Sequence, residues 1–185
     1  MTNIKTSKRM SLSAFLLISL IGVVNLFPSN ALAESTSTDA IRDVVVVEAS
    51  GLMDPVLVRM MEETLEELDP NETIALVFQV NISGSVVEDE SVIALGKAIS
   101  SSPVPISFWI GPSGSRAKGP IAELALISGD IGITPGSKIG KTGRSIFSSN
   151  SSEEYKNLEI DKKTINYEEA IEKGIARSSP VLLEH

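Results

Sequence analysis

Apolar residues along this chain gather in short continuous runs, and segments of helical periodicity separate the runs. Val44–Val47 is β-branched throughout, which is typical of a strand buried on both faces. Thr73–Val80 and Ile106–Ile110 are further apolar runs, and Ile131–Ile133 is a shorter one. The pattern therefore predicts a series of buried strands, with Asn81–Ser85 as a loop after the second of them.

The segments between these runs predict helices. Asp54 and Pro55 supply an N-cap and a proline at the first helical position. Apolar residues then recur at helical spacing, with glutamates on the opposite face, until Pro70 ends the pattern. The apolar positions are Val58, Met61, Leu65 and Leu68, and the glutamates are Glu62, Glu63, Glu66 and Glu67. Ser91–Ser100 predicts a second helix, and Asn166–Gly174 predicts a short capped helix that ends on glycine.

The order of strand and helix, with short connections, implies an α/β fold of βα repeats around a mainly parallel sheet. Ligands of such sheets bind beyond the carboxyl ends of the strands. The loops 81–90 and 111–119 both leave predicted strands at that end, so we expect a functional site between them. Residues 143–154 are rich in serine and predict a flexible excursion.

The N-terminal residues predict export. Basic residues between Lys5 and Arg9 precede the apolar run Ala14–Val24, and Ala31–Ala33 then forms an A-x-A cleavage site. The apolar run is too short for an ordinary membrane span, which needs about 20 residues. We interpret this region as a secretory signal peptide, which sends the protein to the periplasm or outside the cell. An uncleaved anchor is the alternative.

This interpretation divides the chain into a signal peptide (1–33), a polar tether (34–43) and one domain (44–185). No second apolar span follows the signal, so we expect no direct membrane span after cleavage. Cleavage leaves 13 basic residues against 24 acidic ones, and this net charge of −11 repels nucleic acid and anionic lipid. The chain has no cysteine and one histidine. Because it has neither a zinc ligand set nor a phosphate-binding glycine loop, we expect no metal and no cofactor.

The segment Gly114–Gly140 carries a family resemblance. It reads GSRAKGPIAELALISGDIGITPGSKIG, which is a glycine-rich loop, a short apolar helix pattern and a Pro-Gly turn. It resembles the active-site stretch G-A-R-A-A-S-A-G…A-D-x-I-x-M-x-P-G-S-x-I-G of the ClpP-like serine proteases found in NfeD-type membrane proteins, within the ClpP/crotonase superfamily. The nucleophilic serine of that family corresponds to Gly119 here. The resemblance implies a ClpP/crotonase-like fold that has lost its nucleophile.

Three further matches extend the resemblance over most of the chain. Ser101–Pro105 matches the family's S-P-V-P, and Tyr167–Gly174 looks like its closing A-E-E-A-L-E-x-G helix. Asn81–Ser85 stands where the family has N-T-P-G-G, whose glycine N–H groups stabilise the oxyanion. Gly84 keeps the first of these glycines and Ser85 replaces the second. The substrate-binding positions that the resemblance implies are Gly84, Ser85, Gly119 and Pro120.

A serine protease also needs a base that takes the proton from its nucleophile. His185 lies at the very end of the chain, which argues against a Ser-His-Asp triad. The resembled family uses a lysine on a helix after the P-G-S-x-I-G turn, but only 26 residues separate Gly140 from Tyr167. The lysines in that region have no matching context: Lys141, Lys156, Lys162 and Lys163. We therefore predict a pseudoprotease that binds an extended peptide or a partner protein in the former groove.

Two alternatives remain open. Ser115 and Lys118 have the S-x-x-K spacing that places a serine and a lysine on one helical turn in penicillin-recognising enzymes, so one alternative is an active serine peptidase that uses this pair. The other is a structural subunit. Since ClpP-like and crotonase-like domains usually self-associate, the chain would form a homo-oligomer or assemble with an active paralogue.

Overall fold

The computed structural model describes residues 42–147 and 159–179. The predicted signal peptide (1–33), nearly all of the tether and residues 148–154 of the predicted excursion lie outside these ranges. The strands are β1 (Asp43–Met53), β2 (Thr73–Ser85), β3 (Ile106–Ile110), β4 (Arg116–Lys118), β5 (Ile131–Ile133), β6 (Lys138–Gly140), β7 (Thr164–Asn166) and β8 (Arg177–Ser178). The helices are α1 (Pro55–Glu66), α2 (Asp89–Ser100), α3 (Pro120–Ser128) and α4 (Tyr167–Glu172).

The described strands form one mainly parallel sheet. Seven of the strands follow the order β7-β6-β4-β2-β3-β5-β8, and β1 pairs with β2 outside this path. Only the β6–β7 pair is antiparallel. β2 pairs with β1 along its length. On its opposite side β2 pairs first with β3, over Leu76–Val80, and then with β4 at Ile82. The predicted α/β fold with a mainly parallel sheet is confirmed.

Local signals place the helix ends. The Asp54 carboxylate accepts a hydrogen bond from the Leu57 N–H at 2.8 Å, and Pro55 occupies the first helical position, so the predicted N-cap of α1 is confirmed. Asn166 caps α4 by accepting a hydrogen bond from the N–H of Glu169 at 2.9 Å. Gly174, with φ of 68°, follows the end of this helix and lets the chain turn away in a left-handed conformation.

The core lies on the helix-covered face of the sheet. Leu76, Phe78, Val80 and Ile82 alternate along β2 and are fully buried. The ring of Phe78 lies 5.4 Å from that of Phe108 on β3. The helices contribute these buried residues to the same cluster: Val58, Met61, Leu65, Val92, Leu95, Ile99, Ile121 and Leu124.

The prediction that Val44–Val47 is buried on both faces was wrong. Val45 and Val47 pack against the core, whereas Val44 is 50% exposed and Val46 is 37% exposed. The reason is that successive side chains of a strand point to opposite faces, and Val44 and Val46 lie on the face of β1 that is open to solvent. Its β-branched residues therefore stabilise a strand that is covered on one face.

Long-range pairing makes the first two strands longer than predicted. Asn81–Ser85, predicted to be a loop, is the last part of β2, because it pairs with Ser50–Met53 of β1. β1 begins at Asp43, inside the predicted tether, and α2 begins at Asp89 rather than Ser91. β3 and β5 have the predicted bounds.

Candidate functional site

Gly119 forms a sharp turn between strand β4 and helix α3. Its φ of 77° and ψ of −144° place it close to a backbone region that is essentially restricted to glycine. A strand, a strained single-residue turn and a helix together have the geometry of a nucleophile elbow, in which a serine stands at the turn. Here the residue at the turn has no side chain.

Gly84 and Gly119 follow the point where strands β2 and β4 stop pairing. Ile82 of β2 pairs with Ala117 of β4; Gly84 comes two residues later on β2, and Gly119 two residues later, just after the end of β4. Ser85 and Pro120 follow directly. The four predicted binding positions therefore lie just beyond this pair, at the carboxyl ends of β2 and β4, and we call the space between the two chain segments the groove.

Neither Gly119 nor Pro120 offers a free backbone N–H. The Gly119 N–H already donates to the carbonyl oxygen of Gly140 at 3.3 Å, across the β4–β6 pair. In a nucleophile elbow the residue after the nucleophile supplies an N–H to the oxyanion hole. That residue is Pro120, which has no N–H. Pro120 was predicted as a binding position, and the proline in the sequence already implied that this N–H is missing.

Within the described residues, a serine at the elbow would have no base in contact with it apart from its chain neighbours. An ideal Cβ on Gly119 has no heavy atom of the described residues within 4 Å, apart from its own chain neighbours. A base hydrogen-bonded to a serine hydroxyl there, at about 2.6–3.2 Å, would lie within about 4 Å of that Cβ. The described structure therefore supplies space in front of Gly119 but no positioned general base.

Ser115 and Lys118 do not occupy one helical turn, and in this respect the S-x-x-K prediction was wrong. The segment forms strand β4, in which successive side chains point to opposite faces. Ser115 and Ala117 are buried, whereas Arg116 is exposed and Lys118 is half-buried. The two side chains therefore lie on opposite faces of an extended segment. Ser115 also lies at the amino end of β4, away from the groove.

The other lysines that were weighed as bases have ordinary surroundings where they are described. The Lys141 N–H donates to the carbonyl oxygen of Lys163, next to strand β7, and the Lys163 ammonium lies 3.8 Å from the Glu169 carboxylate. Neither 141–147 nor 159–166 contains a helix that carries a lysine toward the groove. Lys156 and His185 lie outside the described residues.

Residues 42–147 and 159–179 contain no group of three or more histidine, aspartate or glutamate side chains that could hold a metal ion. No helix in these two ranges is long and apolar enough to cross a membrane.

Solved structures share the fold. Neither a protein-family model nor a curated protein matches the chain. The 1510-N membrane protease specific for a stomatin homolog from Pyrococcus horikoshii is similar over 77% of this chain and 75% of its own, with a TM-score of 0.62 and 18% identity. A 1510-N variant in complex with a substrate peptide has the same TM-score and 15% identity, over 78% of each chain.

A second group of similar structures comes from enzymes that act on coenzyme A esters. Methylmalonyl CoA decarboxylase is similar over 75% of this chain and 64% of its own, with a TM-score of 0.59 and 15% identity. An enoyl-CoA hydratase/isomerase from Marinobacter aquaeolei has a TM-score of 0.56 at 12% identity, over 73% of this chain and 66% of its own. The chain thus has the ClpP/crotonase-like fold. Because the same fold carries both proteolysis and acyl-CoA chemistry, the groove has to be interpreted from its own residues.

Proposed function

We propose that this chain is an exported ClpP-like domain without proteolytic activity, which binds an extended peptide or a segment of a partner protein in the groove. One observation carries the proposal. At the nucleophile elbow, Gly119 supplies no hydroxyl and Pro120 supplies no N–H. The geometry of the turn is kept, and the two groups that would perform acyl transfer there are missing.

The size of these losses decides against slow residual proteolysis. Removing the nucleophile of a serine protease costs on the order of 10⁶ in rate, or about 8 kcal/mol of transition-state stabilisation. Without the nucleophile, oxyanion donors and substrate binding alone accelerate the reaction only roughly 10³–10⁴-fold over its rate in water. In this chain that residual acceleration is smaller still, because Pro120 lacks the N–H that would stabilise the oxyanion.

The edge of strand β2 supports binding of an extended chain. Beyond the Ile82–Ala117 pair, Ser85 pairs with Met53 of β1, and no described strand pairs with residues 83–85 on the β4 side. A peptide could add to this edge through main-chain hydrogen bonds, as in β-augmentation. A structure of similar fold is a complex with a substrate peptide, which supports peptide binding as the function of the groove. Export rests on the basic, apolar and A-x-A segments of residues 1–33.

The test is an array of immobilised decapeptides together with a serine-reactive fluorophosphonate. We expect the purified protein to bind some peptides, cleave none of them and take up no label. Backbone N-methylation of a bound peptide should abolish its binding, because methylation removes main-chain donors. Ser85→Trp should block the groove, whereas Ser101→Trp, on the exposed end of α2, should not. Peptide cleavage that Ser115→Ala abolishes would favour the active peptidase instead, and failure to bind any peptide would remove this proposal.

A second candidate function is that of a structural subunit, and the edge strand β1 favours it. β1 is 11 residues long, no described strand pairs with its second edge, and Val44 and Val46 are exposed on one of its faces. Natural proteins rarely leave such an edge unprotected, so β1 fits pairing with a second copy or with an active paralogue.

Sedimentation velocity separates this function from the first. The protein should form a dimer or a larger assembly, alone or with the paralogue, and Val46→Lys should dissociate it by placing a charge on the edge. Val56→Lys, at an exposed position on α1, is the matched control and should leave the assembly intact. A monomer at every concentration, alone and with the paralogue, would contradict the structural role.

A further inference from the structure

A buried carboxylate holds the segment that follows strand β6. Glu123 on α3 is only 7% exposed. Its Oε1 accepts hydrogen bonds from the Ser145 hydroxyl at 2.7 Å, from the Ile146 N–H at 3.0 Å and from the Phe147 N–H at 3.2 Å. Hydrogen bonds to an ionised acceptor are the strong ones, and an acidic side chain is rarely buried unless its oxygens have such partners. We call residues Gly143–Phe147 the strap.

The ring of Phe147 provides a second anchor. Gly96 on α2 leaves a notch in that helix, and an ideal Cβ there would lie 2.4 Å from Cε1 of Phe147. The ring therefore fills the space that a side chain at position 96 would occupy. A third contact, the ion pair of Arg144 with Asp89, is largely exposed, so its contribution is small.

Two of these anchors lie on helices a few residues after the groove. Glu123 is in the first turn of α3, four residues after Gly119, and Asp89 opens α2, four residues after Ser85. The strap itself begins three residues after Gly140, whose carbonyl oxygen accepts the hydrogen bond of the elbow N–H. One short segment thus contacts both helices that start from the groove.

We propose that the strap ties α2, at Gly96, to the first turn of α3 and so fixes the spacing of the groove, with Glu123 as its positioning residue. This inference rests on the proposed peptide-binding function of the groove, because a fixed spacing lowers the cost of ordering it when a peptide binds. The geometry of the strap itself can be tested without any peptide. Glu123 touches neither the peptide nor a reacting group; it acts through the strap.

Hydrogen exchange tests the anchor directly. In the parent protein the amides of Ile146 and Phe147 should exchange slowly, since the Glu123 carboxylate accepts both. Glu123→Ala should accelerate their exchange about 10- to 100-fold, while Glu123→Gln, which keeps an acceptor oxygen, should lose much less protection. Unchanged exchange of these two amides in Glu123→Ala would overturn the inference.

Spin labels test the spacing of the groove. The chain has no cysteine, so labels can be placed at Glu88→Cys, three residues after Ser85, and at Arg116→Cys, three residues before Gly119. Glu123→Ala and Phe147→Ala should both broaden the distance distribution between the labels, and Arg144→Gln should not. If Glu123→Ala fails to fold, Phe147→Ala decides the question, because it removes an anchor without touching the buried carboxylate. A distribution that stays as narrow as in the parent would contradict the coupling.

Peptide binding connects the strap to function. For the tightest decapeptide of the array, Glu123→Ala should weaken binding about tenfold and Glu123→Gln should restore most of the affinity. If the parent binds no peptide, the proposed function fails, while exchange and label distances still decide whether the strap fixes the groove. If the parent binds and Glu123→Ala binds equally well, the positioning role fails and the proposed function stands.

Discussion

The ring of Phe147 occupies the space that a side chain on Gly96 would need. The two residues are 51 positions apart in the sequence, yet an ideal Cβ on Gly96 would come within 2.5 Å of two ring carbons of Phe147 and within 3.3 Å of Leu124 Cδ2. Gly96 is buried inside helix α2, where glycine costs about 0.5–1 kcal/mol relative to alanine. Contact with Phe147 therefore explains a glycine that helix propensity alone disfavours.

This contact predicts that one substitution has opposite effects in two backgrounds. Gly96→Ala should destabilise the parent by about 1–3 kcal/mol, because the methyl group expels the ring from its notch. In a Phe147→Ala background the same change should stabilise by about 0.5–1 kcal/mol, because only the gain in helix propensity remains. Urea unfolding of the parent, both single variants and the double variant completes the cycle. Equal effects in both backgrounds would show that the ring and the glycine are not coupled.

The N-cap of α1 gives a prediction that depends on local structure alone. Asp54→Ala removes the acceptor of the Leu57 N–H, and we expect it to lower the free energy of unfolding by about 1 kcal/mol. Asp54→Asn keeps an acceptor at the same position and should cost much less. Thermal unfolding followed by circular dichroism measures both. A loss as large in Asp54→Asn as in Asp54→Ala would mean that the charge, rather than the hydrogen bond, stabilises the helix.

Asp130 should contribute more to stability than the arginine it pairs with. Its carboxylate accepts the Ser107 hydroxyl of β3 through one oxygen and the Arg177 guanidinium of β8 through the other. Arg177 is 78% exposed, so Arg177→Ala should cost less than about 1 kcal/mol. Asp130→Ala removes both bonds and leaves the part-buried hydroxyl without its acceptor, so we expect about 1–3 kcal/mol. Denaturant unfolding measures the two losses. A larger loss in Arg177→Ala than in Asp130→Ala would mean that the exposed ion pair contributes more to stability than the Ser107 hydrogen bond.

Local signals account for the parts of the fold that the sequence predicted well. The Asp54 cap, the glycine after α4 and the apolar run of β3 act over a few residues, so their spacing is enough to place them. The lengths of β1 and β2 could not be predicted in the same way. Asn81–Ser85 is polar and rich in small residues, and it is a strand only because it pairs with residues some 30 positions earlier.

The same distinction between local signals and long-range contacts applies to the candidate site. The position of the elbow was predicted from the motif around Gly119, and the missing N–H of Pro120 could have been read from the sequence. The contacts of the strap could not be predicted, because they depend on hydrogen bonds that Glu123 accepts from residues 22–24 positions away. Its serine-rich composition instead predicted a flexible excursion over 143–154. Within that excursion residues 143–147 make defined contacts, and the rest lies outside the described residues.

Restoring a serine at the elbow should not restore catalysis. Gly119→Ser finds open space for its side chain, but φ of 77° makes a non-glycine residue strained, so we expect a loss of about 1–3 kcal/mol in stability. The described residues place no base at the elbow, and Pro120 supplies no N–H, so the variant should neither cleave peptides nor react with a fluorophosphonate faster than a free serine. Gly119→Ser/Pro120→Ala regains the N–H and should remain inactive, because no base within residues 42–147 and 159–179 reaches the new serine.

Gly114→Ser is the matched control for this experiment. Gly114 has φ of 84° and equally open surroundings, but it lies before β4, away from the groove. Gly114→Ser should lower the free energy of unfolding by about as much as Gly119→Ser. Equal losses would show that backbone strain causes the loss in Gly119→Ser. Intact-protein mass spectrometry after fluorophosphonate treatment measures the labelling of all three variants. Rapid labelling of Gly119→Ser but not of Gly114→Ser would reveal a base within reach of the elbow, and the protein would then be one substitution away from an active peptidase.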